Sequence, residues 1–98
     1  MLNIREDDVV MIERFQRGDR DALDCLIKKH QARAYQYAFR LTKDVNRASD
    51  VVAEAFIRIY KALDNFKGES AFTTWMYRIL TNCYLDILKR EASRPVSS

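Results

Sequence analysis

Residues 21–41 read DALDCLIKKHQARAYQYAFRL, and this stretch decides the fold. Apolar or small side chains return every three or four positions, so they share one stripe of a helix with about 3.6 residues per turn. The stripe consists of Ala22, Leu23, Leu26, Ile27, His30, Ala34, Tyr37, Ala38 and Leu41. We predict one long amphipathic helix whose opposite face carries Lys28, Lys29, Arg33 and Arg40.

Three further segments show helical spacing. A short first helix is predicted to end at Gly18, and Asp19 is expected to cap the second helix. The apolar side chains of the first helix are Val9, Val10, Met11 or Ile12, and Phe15. The third helix is expected to bury Ala48, Val52, Ala55, Phe56, Ile59 and Leu63. The fourth, capped by Ser70, Thr73 or Thr74, is expected to bury Phe72, Met76, Ile79, Cys83 and Ile87.

The composition points to one helical domain. The 98 residues include two glycines and one proline, and 48% are apolar, which suffices for one compact core and not for two. We expect an all-α domain, a compact bundle of about four helices over residues 1–92. Residues 93–98 lose the helical period and contain Pro95, so they are expected to begin an interdomain linker.

Several classes of protein are disfavoured. No apolar run approaches the roughly 20 residues that span a bilayer, and Met1 to Asp8 are too polar for a secretory signal, so we expect a cytoplasmic protein without membrane insertion. Cys25 and Cys83 form no CxxC pair and are interpreted as two buried, reduced thiols. No phosphate loop, catalytic triad or HExxH pair occurs, so we expect no enzyme, no catalytic residues, no metal and no cofactor. The one histidine, His30, is expected to be half-buried with a single hydrogen bond.

Positive charge is concentrated in the middle of the chain. Residues 28–47 hold six basic and one acidic side chain, against four and seven in residues 1–27. Such a segment attracts a phosphate backbone, although a solvated helical face is the commoner explanation.

The segment Asp64–Ser70 is the most turn-like part of the interior and is predicted to be a loop. It presents Phe66 between Asn65 and Lys67, and the helix after it offers Tyr77, Arg78, Thr81, Asn82 and Lys89. Single-stranded nucleic acid is bound by such aromatic rings, cations and amides. A different interpretation makes Phe66 a hydrophobic plug that closes the end of the bundle.

Asp50 and Glu54 are like charges four positions apart on the third helix, which destabilises an isolated helix slightly. Two explanations stay open. Either a partner protein binds there, or Arg47 and Arg58 neutralise the pair locally.

Three ordered blocks resemble region 2 of the extracytoplasmic-function sigma factors. They are Gly18-Asp19-Arg20-Asp21-Ala22-Leu23 with Leu26, then Ala48-Ser49-Asp50-Val51-Val52-Ala53-Glu54-Ala55-Phe56, then Phe72-Thr73-Thr74-Trp75-Met76-Tyr77-Arg78-Ile79 with Asn82. The resemblance implies a helical promoter-recognition domain that binds the RNA polymerase core and captures a base of the single-stranded, non-template minus-ten element. It further implies an anti-sigma partner and a C-terminal helix-turn-helix domain that this chain lacks.

The resemblance also implies residue roles. Contact with the clamp helices of the polymerase beta-prime subunit is expected from Arg47, Asp50, Glu54 and Arg58. DNA contact is expected from Asp64, Asn65, Phe66, Lys67, Tyr77, Arg78, Thr81, Asn82, Lys89 and Arg90. Trp75 is assigned to the core. The chain departs from the family pattern at Ala53, where glutamine is usual, at Ser49, where an acid is common, and at His30, where an aromatic is usual. The alternative is a helical interaction module that binds polymerase or a regulator without reading DNA.

Overall fold

Four α-helices account for most of the computed structural model, which describes residues 4–93. They are α1 (Ile4–Gln16), α2 (Asp21–Thr42), α3 (Val45–Ala62) and α4 (Phe72–Ala92), with a single 3-10 turn at Leu63–Asn65. No strand occurs within residues 4–93, and the expected all-α bundle is confirmed. The expected linker lies, from residue 94 onward, outside the described residues.

The helix ends follow local chemistry only in part. Gly18 after α1 has a φ of 111° and Lys43 after α2 a φ of 58°, backbone conformations that stop a helix. The Asp44 carboxylate accepts a hydrogen bond from the Arg47 backbone N–H at 3.0 Å and caps α3. The expected Asp19 cap is wrong, because Arg20 occupies the cap position of α2 and its side chain makes no capping hydrogen bond to the helix.

The predicted hydroxyl cap of α4 is also wrong. Ala71 occupies its cap position, and no side chain bonds to the first turn. The Ser70 hydroxyl donates instead to the Ala71 carbonyl at 3.2 Å, so it is already engaged.

The core lies where the helical stripes converge. Buried apolar side chains include Leu26, Ala34 and Ala38 of α2, Val52, Ala55 and Ile59 of α3, and Met76, Leu80 and Cys83 of α4. Leu80 and Val51 were missed by the sequence prediction, while Ile79, Ile87 and Phe56 are only partly buried. The reason is that α4 packs against both α2 and α3, so its buried face is wider than one stripe and centred differently.

His30 and Asp8 form a buried polar pair that joins α1 to α2. His30 is 1% exposed and Asp8 is 3% exposed. The His30 Nε2 atom lies 2.9 and 3.0 Å from the two Asp8 carboxylate oxygens, and Lys29 Nζ donates to the same carboxylate at 2.8 Å. The histidine is thus fully rather than half buried, with Phe72 against its ring at 5.3 Å.

Removal of the Asp8 carboxylate should destabilise the domain. Asp8→Ala leaves His30 buried without its hydrogen-bond partner, so we expect the free energy of unfolding to fall by about 2 kcal/mol. Urea unfolding followed by circular dichroism measures this change. Asp7→Ala is the matched control, because the Asp7 carboxylate is 46% exposed and 4.0 Å from Lys29. Equal losses for the two variants would contradict the role of the buried pair.

The two cysteines differ in environment. Cys25 is exposed, so the expectation of two buried thiols is wrong at this position, whereas Cys83 is fully buried. The reason is that Cys25 lies outside the buried stripe of α2, on a side of the helix that faces solvent. Burial raises the pKa of the Cys83 thiol, which lowers its reactive thiolate fraction at a given pH.

One fast thiol per native chain is therefore predicted. A thiol-reactive disulfide reagent at about pH 8 should modify Cys25 quickly and Cys83 only after unfolding in urea. Cys25→Ser should remove the fast phase. Two fast thiols in the native protein would show that Cys83 is more accessible than its packing implies.

Candidate nucleic-acid interface

An open depression of about 660 Å³ lies between the chain segment after α3 and the first turns of α4. We call it the loop depression. Its lining consists of Ala62, Asn65, Phe66, Lys67, Glu69, Ser70, Trp75 and Arg78. Four of the residues predicted to contact DNA, Asn65, Phe66, Lys67 and Arg78, are therefore brought together here.

Two aromatic side chains stack within this depression. The Phe66 and Trp75 ring centroids lie 4.8 Å apart with an interplanar angle of 40°. Both rings are partly buried against the core, and Trp75 also meets the edge of Phe72 at 6.0 Å. Phe66 thus combines the two interpretations offered for it, since it packs on the bundle and also lines the depression. Trp75 likewise contacts the core without being withdrawn from the surface.

The backbone of the loop is held from the end of α1. The Gln16 Nε2 amide donates to the Leu63 carbonyl and to the Phe66 carbonyl, each at 2.9 Å. These bonds join residues 47 and 50 positions apart in the chain. A single amide thereby fixes both ends of the turn that carries Asp64 and Asn65.

Arg20 makes a second connection to the loop. Its guanidinium lies 3.2 Å from both Asp64 carboxylate oxygens and 4.3 Å from the centroid of the Phe15 ring. Asp64 therefore faces the corner between α1 and α2 rather than the depression. Sequence reasoning missed Gln16 and Arg20, because nothing local in the sequence links the end of α1 to a loop that begins more than 40 positions later.

The exposed side of α4 continues from the loop depression. Arg78 and Asn82 are both exposed and lie one turn apart, so they share a face of the helix. Lys89 is exposed about 16 Å further along the helix from Arg78. Neither Arg78 nor Lys89 forms an ion pair with a side chain of residues 7–93, which leaves both cations available to a ligand.

Three predicted DNA-contact residues lie elsewhere on α4. Tyr77 stacks on Tyr37 of α2 at 4.8 Å, and the Thr81 hydroxyl lies 2.6 Å from the Tyr37 hydroxyl. Both therefore face α2 and not the loop. Arg90 faces α3, where its guanidinium donates to Glu54 at 3.0 Å.

The residues predicted to bind polymerase fall into two groups, those that form ion pairs with α4 and one, Asp50, that does not. Three of them are paired across the seam between α3 and α4: Arg47 donates to Glu91 at 2.9 Å, Arg58 to Asp86 at 2.7 Å, and Glu54 accepts from Arg90. The hydrogen bond to Asp86 raises the pKa of Arg58, so this cation stays charged at every physiological pH. Arg58 also lies 3.5 Å from Glu54, so the predicted local neutralisation is found for Arg58 and Glu54, whereas Arg47 pairs with Glu91 instead.

Asp50 is exposed and makes no ion pair within the described part of the chain. The outer face of α3 presents Ala53, Ile57 and Tyr60, of which Ile57 is 56% and Tyr60 53% exposed. This apolar face is the part of α3 that its intramolecular ion pairs leave uncovered. The sequence already indicated that Ala53, Ile57 and Tyr60 are exposed, because they fall outside the stripe of α3 that was predicted to be buried.

Within residues 4–93, no group of three or more histidine, cysteine or acidic side chains is placed to hold a metal ion. The helices in this part of the chain are also too short or too polar to cross a bilayer.

Comparison with known proteins matches residues 26–94 to the family model of sigma-70 region 2. The chain is 44% identical over 94 residues to the RNA polymerase sigma-H factor of Pseudomonas aeruginosa, covering 96% of this chain and 49% of that protein. It is 42% identical over 91 residues to the ECF RNA polymerase sigma-E factor of Escherichia coli K12, covering 93% and 47%. The chain thus spans about half the length of these curated relatives.

A solved structure agrees with these sequence matches. It is an NMR structure of an engineered region 2 of sigmaE in complex with GTAAAA. The two folds superpose with a TM-score of 0.83 at 34% sequence identity, over 99% of this chain and 100% of the other. The chain belongs to the sigma-70 region 2 family, as an extracytoplasmic-function sigma factor region 2 domain.

Proposed function

We propose that this domain recognises the minus-ten element of a promoter by capturing one unpaired base of the non-template strand in the loop depression. The observation that carries the proposal is the Phe66–Trp75 aromatic pair, which lines the open depression together with the unpaired cation Arg78. Stacking surfaces combined with cations are what single-stranded nucleic acid requires. The GTAAAA strand bound by the engineered sigmaE relative supports the same ligand class.

Several residues in and near the depression have a defined role in this proposal. Phe66 and Trp75 supply the stacking surface, and Asn65 and Asn82 offer amides that distinguish base edges. Lys67 and Arg78 neutralise the flanking phosphates. Asp64 acts indirectly, because Arg20 holds it at the loop corner.

The free energy gained by capturing one base is enough to start the melting of promoter DNA but not to complete it. Unstacking a base costs a few kcal/mol, and one stacked base returns roughly 1–3 kcal/mol. One pocket therefore nucleates an open bubble without sustaining it. Further contacts, supplied by polymerase, are needed to keep the strands apart, and this domain acts by binding rather than by catalysis.

Binding of the polymerase core is the second part of the proposal. The outer face of α3 is its expected site, with Asp50 as an unpaired charge and Ile57 and Tyr60 as exposed apolar contacts. Arg47, Glu54 and Arg58 lie beside that face and would contribute only by exchanging their partners on α4. We further propose that the domain acts in the cytoplasm and that the whole protein binds an anti-sigma factor.

The main competing function is an interaction module that does not read DNA. Such a module needs the α3 face but not an open aromatic depression beside free cations. The depression thus favours DNA recognition.

Sequence preference is the first test. The domain should bind a single-stranded oligonucleotide of its minus-ten sequence more tightly than a scrambled one at moderate salt. Phe66→Ala should lower the affinity by about 1–3 kcal/mol, because the stacking surface is lost, and Asn82→Ala should reduce the discrimination between sequences. Fluorescence anisotropy of labelled strands measures both effects.

Thr74→Ala is a matched control for these variants, because Thr74 is exposed on the same helix and does not line the depression. Circular dichroism shows whether each variant is folded. Equal binding of the two strands by the wild-type domain would contradict the proposed function. Unfolding of Phe66→Ala would assign that ring to structure alone and leave Asn82→Ala to decide the site.

The amide that holds the loop should matter as much as the residues in it. Gln16→Ala removes the donor from two loop carbonyls, so we expect the affinity for the minus-ten strand to fall about three- to tenfold. The protein contains one tryptophan, Trp75, so a change in its fluorescence would report the loosened stack. Gln31→Ala, an exposed glutamine on α2, should change neither quantity. An unaltered affinity and spectrum for Gln16→Ala would show that the loop holds its shape without the clamp.

A further inference from the structure

A second groove, of about 440 Å³, lies between α2 and α4. We call it the α2–α4 groove, and it is lined by Arg33, Gln36, Tyr37, Arg40 and Tyr77. Trp75 lines the loop depression and Tyr77 lines this groove, so the two lie on opposite flanks of α4, about 200° apart around the helix axis. The groove is therefore a separate surface.

The charges of the groove have no internal partner. Arg33 and Arg40 are exposed, and neither forms a hydrogen bond or an ion pair through its side chain within residues 7–93. They lie two helical turns apart on one face, about 10 Å along the axis. No acidic side chain lines the groove. By contrast, Arg47, Arg58 and Arg90 at the α3–α4 seam are all paired with carboxylates.

The groove also has a rigid aromatic wall. Tyr37 and Tyr77 are partly exposed and stack at 4.8 Å, and the Tyr37 hydroxyl is bonded to Thr81 at 2.6 Å. Because the hydroxyl and the ring are both held, little side-chain freedom remains to be lost when a ligand binds. A rigid aromatic wall between two free guanidinium groups fits the sugar-phosphate chain of a nucleic acid.

The position of Arg78 connects the groove with the loop depression. Arg78 has no internal ion-pair partner and lines the depression. It also lies, with Asn82, on the exposed outer face of α4, between the depression and the groove. A helix is about 10–12 Å across, a distance that a few nucleotides of an unpaired strand span. A strand anchored in the depression therefore reaches the groove by crossing the outer face of α4.

We propose that the α2–α4 groove binds the phosphodiester backbone of the same promoter strand whose base occupies the loop depression. This rests on the proposed function. The groove adds affinity that is independent of sequence, whereas the depression supplies the sequence preference. It also gives a role to the positive charge on α2 that the bundle does not neutralise.

Titration with DNA strands of two lengths distinguishes binding in the loop depression from binding in the α2–α4 groove. The full 98-residue chain is titrated with a short strand limited to the minus-ten element, and with the same strand extended by about four nucleotides at each end. We expect Arg33→Gln with Arg40→Gln to weaken binding of the extended strand about tenfold and to leave the short strand unaffected. The slope of log affinity against log salt should become shallower by about 0.7 for each arginine.

Lys28→Gln is the control for each arginine, because it removes one positive charge from an exposed position on α2 outside the groove. An unchanged affinity and salt slope in the double variant would overturn the proposal, as would an equal loss in Lys28→Gln. Loss of polymerase binding with intact DNA binding would also overturn it, and would assign the groove to an acidic protein surface. Absence of sequence preference in the wild-type domain would contradict the proposed function alone, since the dependence on strand length and salt is measured independently.

Discussion

The two hydrogen bonds from the Gln16 amide to the loop carbonyls are the constraint on which the site depends. The loop leaves the bundle at buried Leu63 and returns at buried Phe72, so it must turn at the edge of the core. Backbone carbonyls beside a core need donors, and Gln16 supplies one to Leu63 and one to Phe66. The stack of Phe66 on Trp75 follows from that fixed backbone. A loop whose backbone is already held in one conformation loses less entropy when it binds a ligand.

The charged side chains around α4 are divided into a paired set and an unpaired set. Toward α3, the cations of both helices are paired with carboxylates, as in Arg58 with Asp86. Such exposed pairs add only about 0–1 kcal/mol each to stability, but they neutralise that side of the helix. Toward the loop and toward α2, Arg78, Arg33 and Arg40 have no such partners. Guanidinium groups without an internal partner therefore lie on the two flanks of α4 that carry aromatic surfaces.

Periodicity alone was enough to predict the four helices and most of the core. A buried stripe is a local property, and the stripe of α2 is recovered nearly residue for residue from Ala22 to Ala38. The helix caps at Asp19 and Ser70 and the burial of Cys25 were predicted wrongly, because each depends on contacts or on a helix rotation that spacing does not specify. The His30–Asp8 pair joins two helices and had no signature within either one.

The site was predictable to a similar degree. Asn65, Phe66, Lys67 and Arg78 meet because a short loop and the helix that follows it are necessarily adjacent. Tyr77 is next to Arg78 in sequence but about 100° away around the helix, which is enough to place it in a different groove. Gln16 and Arg20 come from the other end of the chain, and only the tertiary fold brings them to the loop.

The most direct test of base capture is an NMR titration of the isotopically labelled domain with two single strands. One carries the complete minus-ten sequence, and the other lacks only the base that enters the depression. The account predicts that the complete strand shifts the amide signals of the loop and the indole signal of Trp75, and that the strand without that base does not. Identical shifts with both strands, or shifts confined to the outer face of α3, would contradict it.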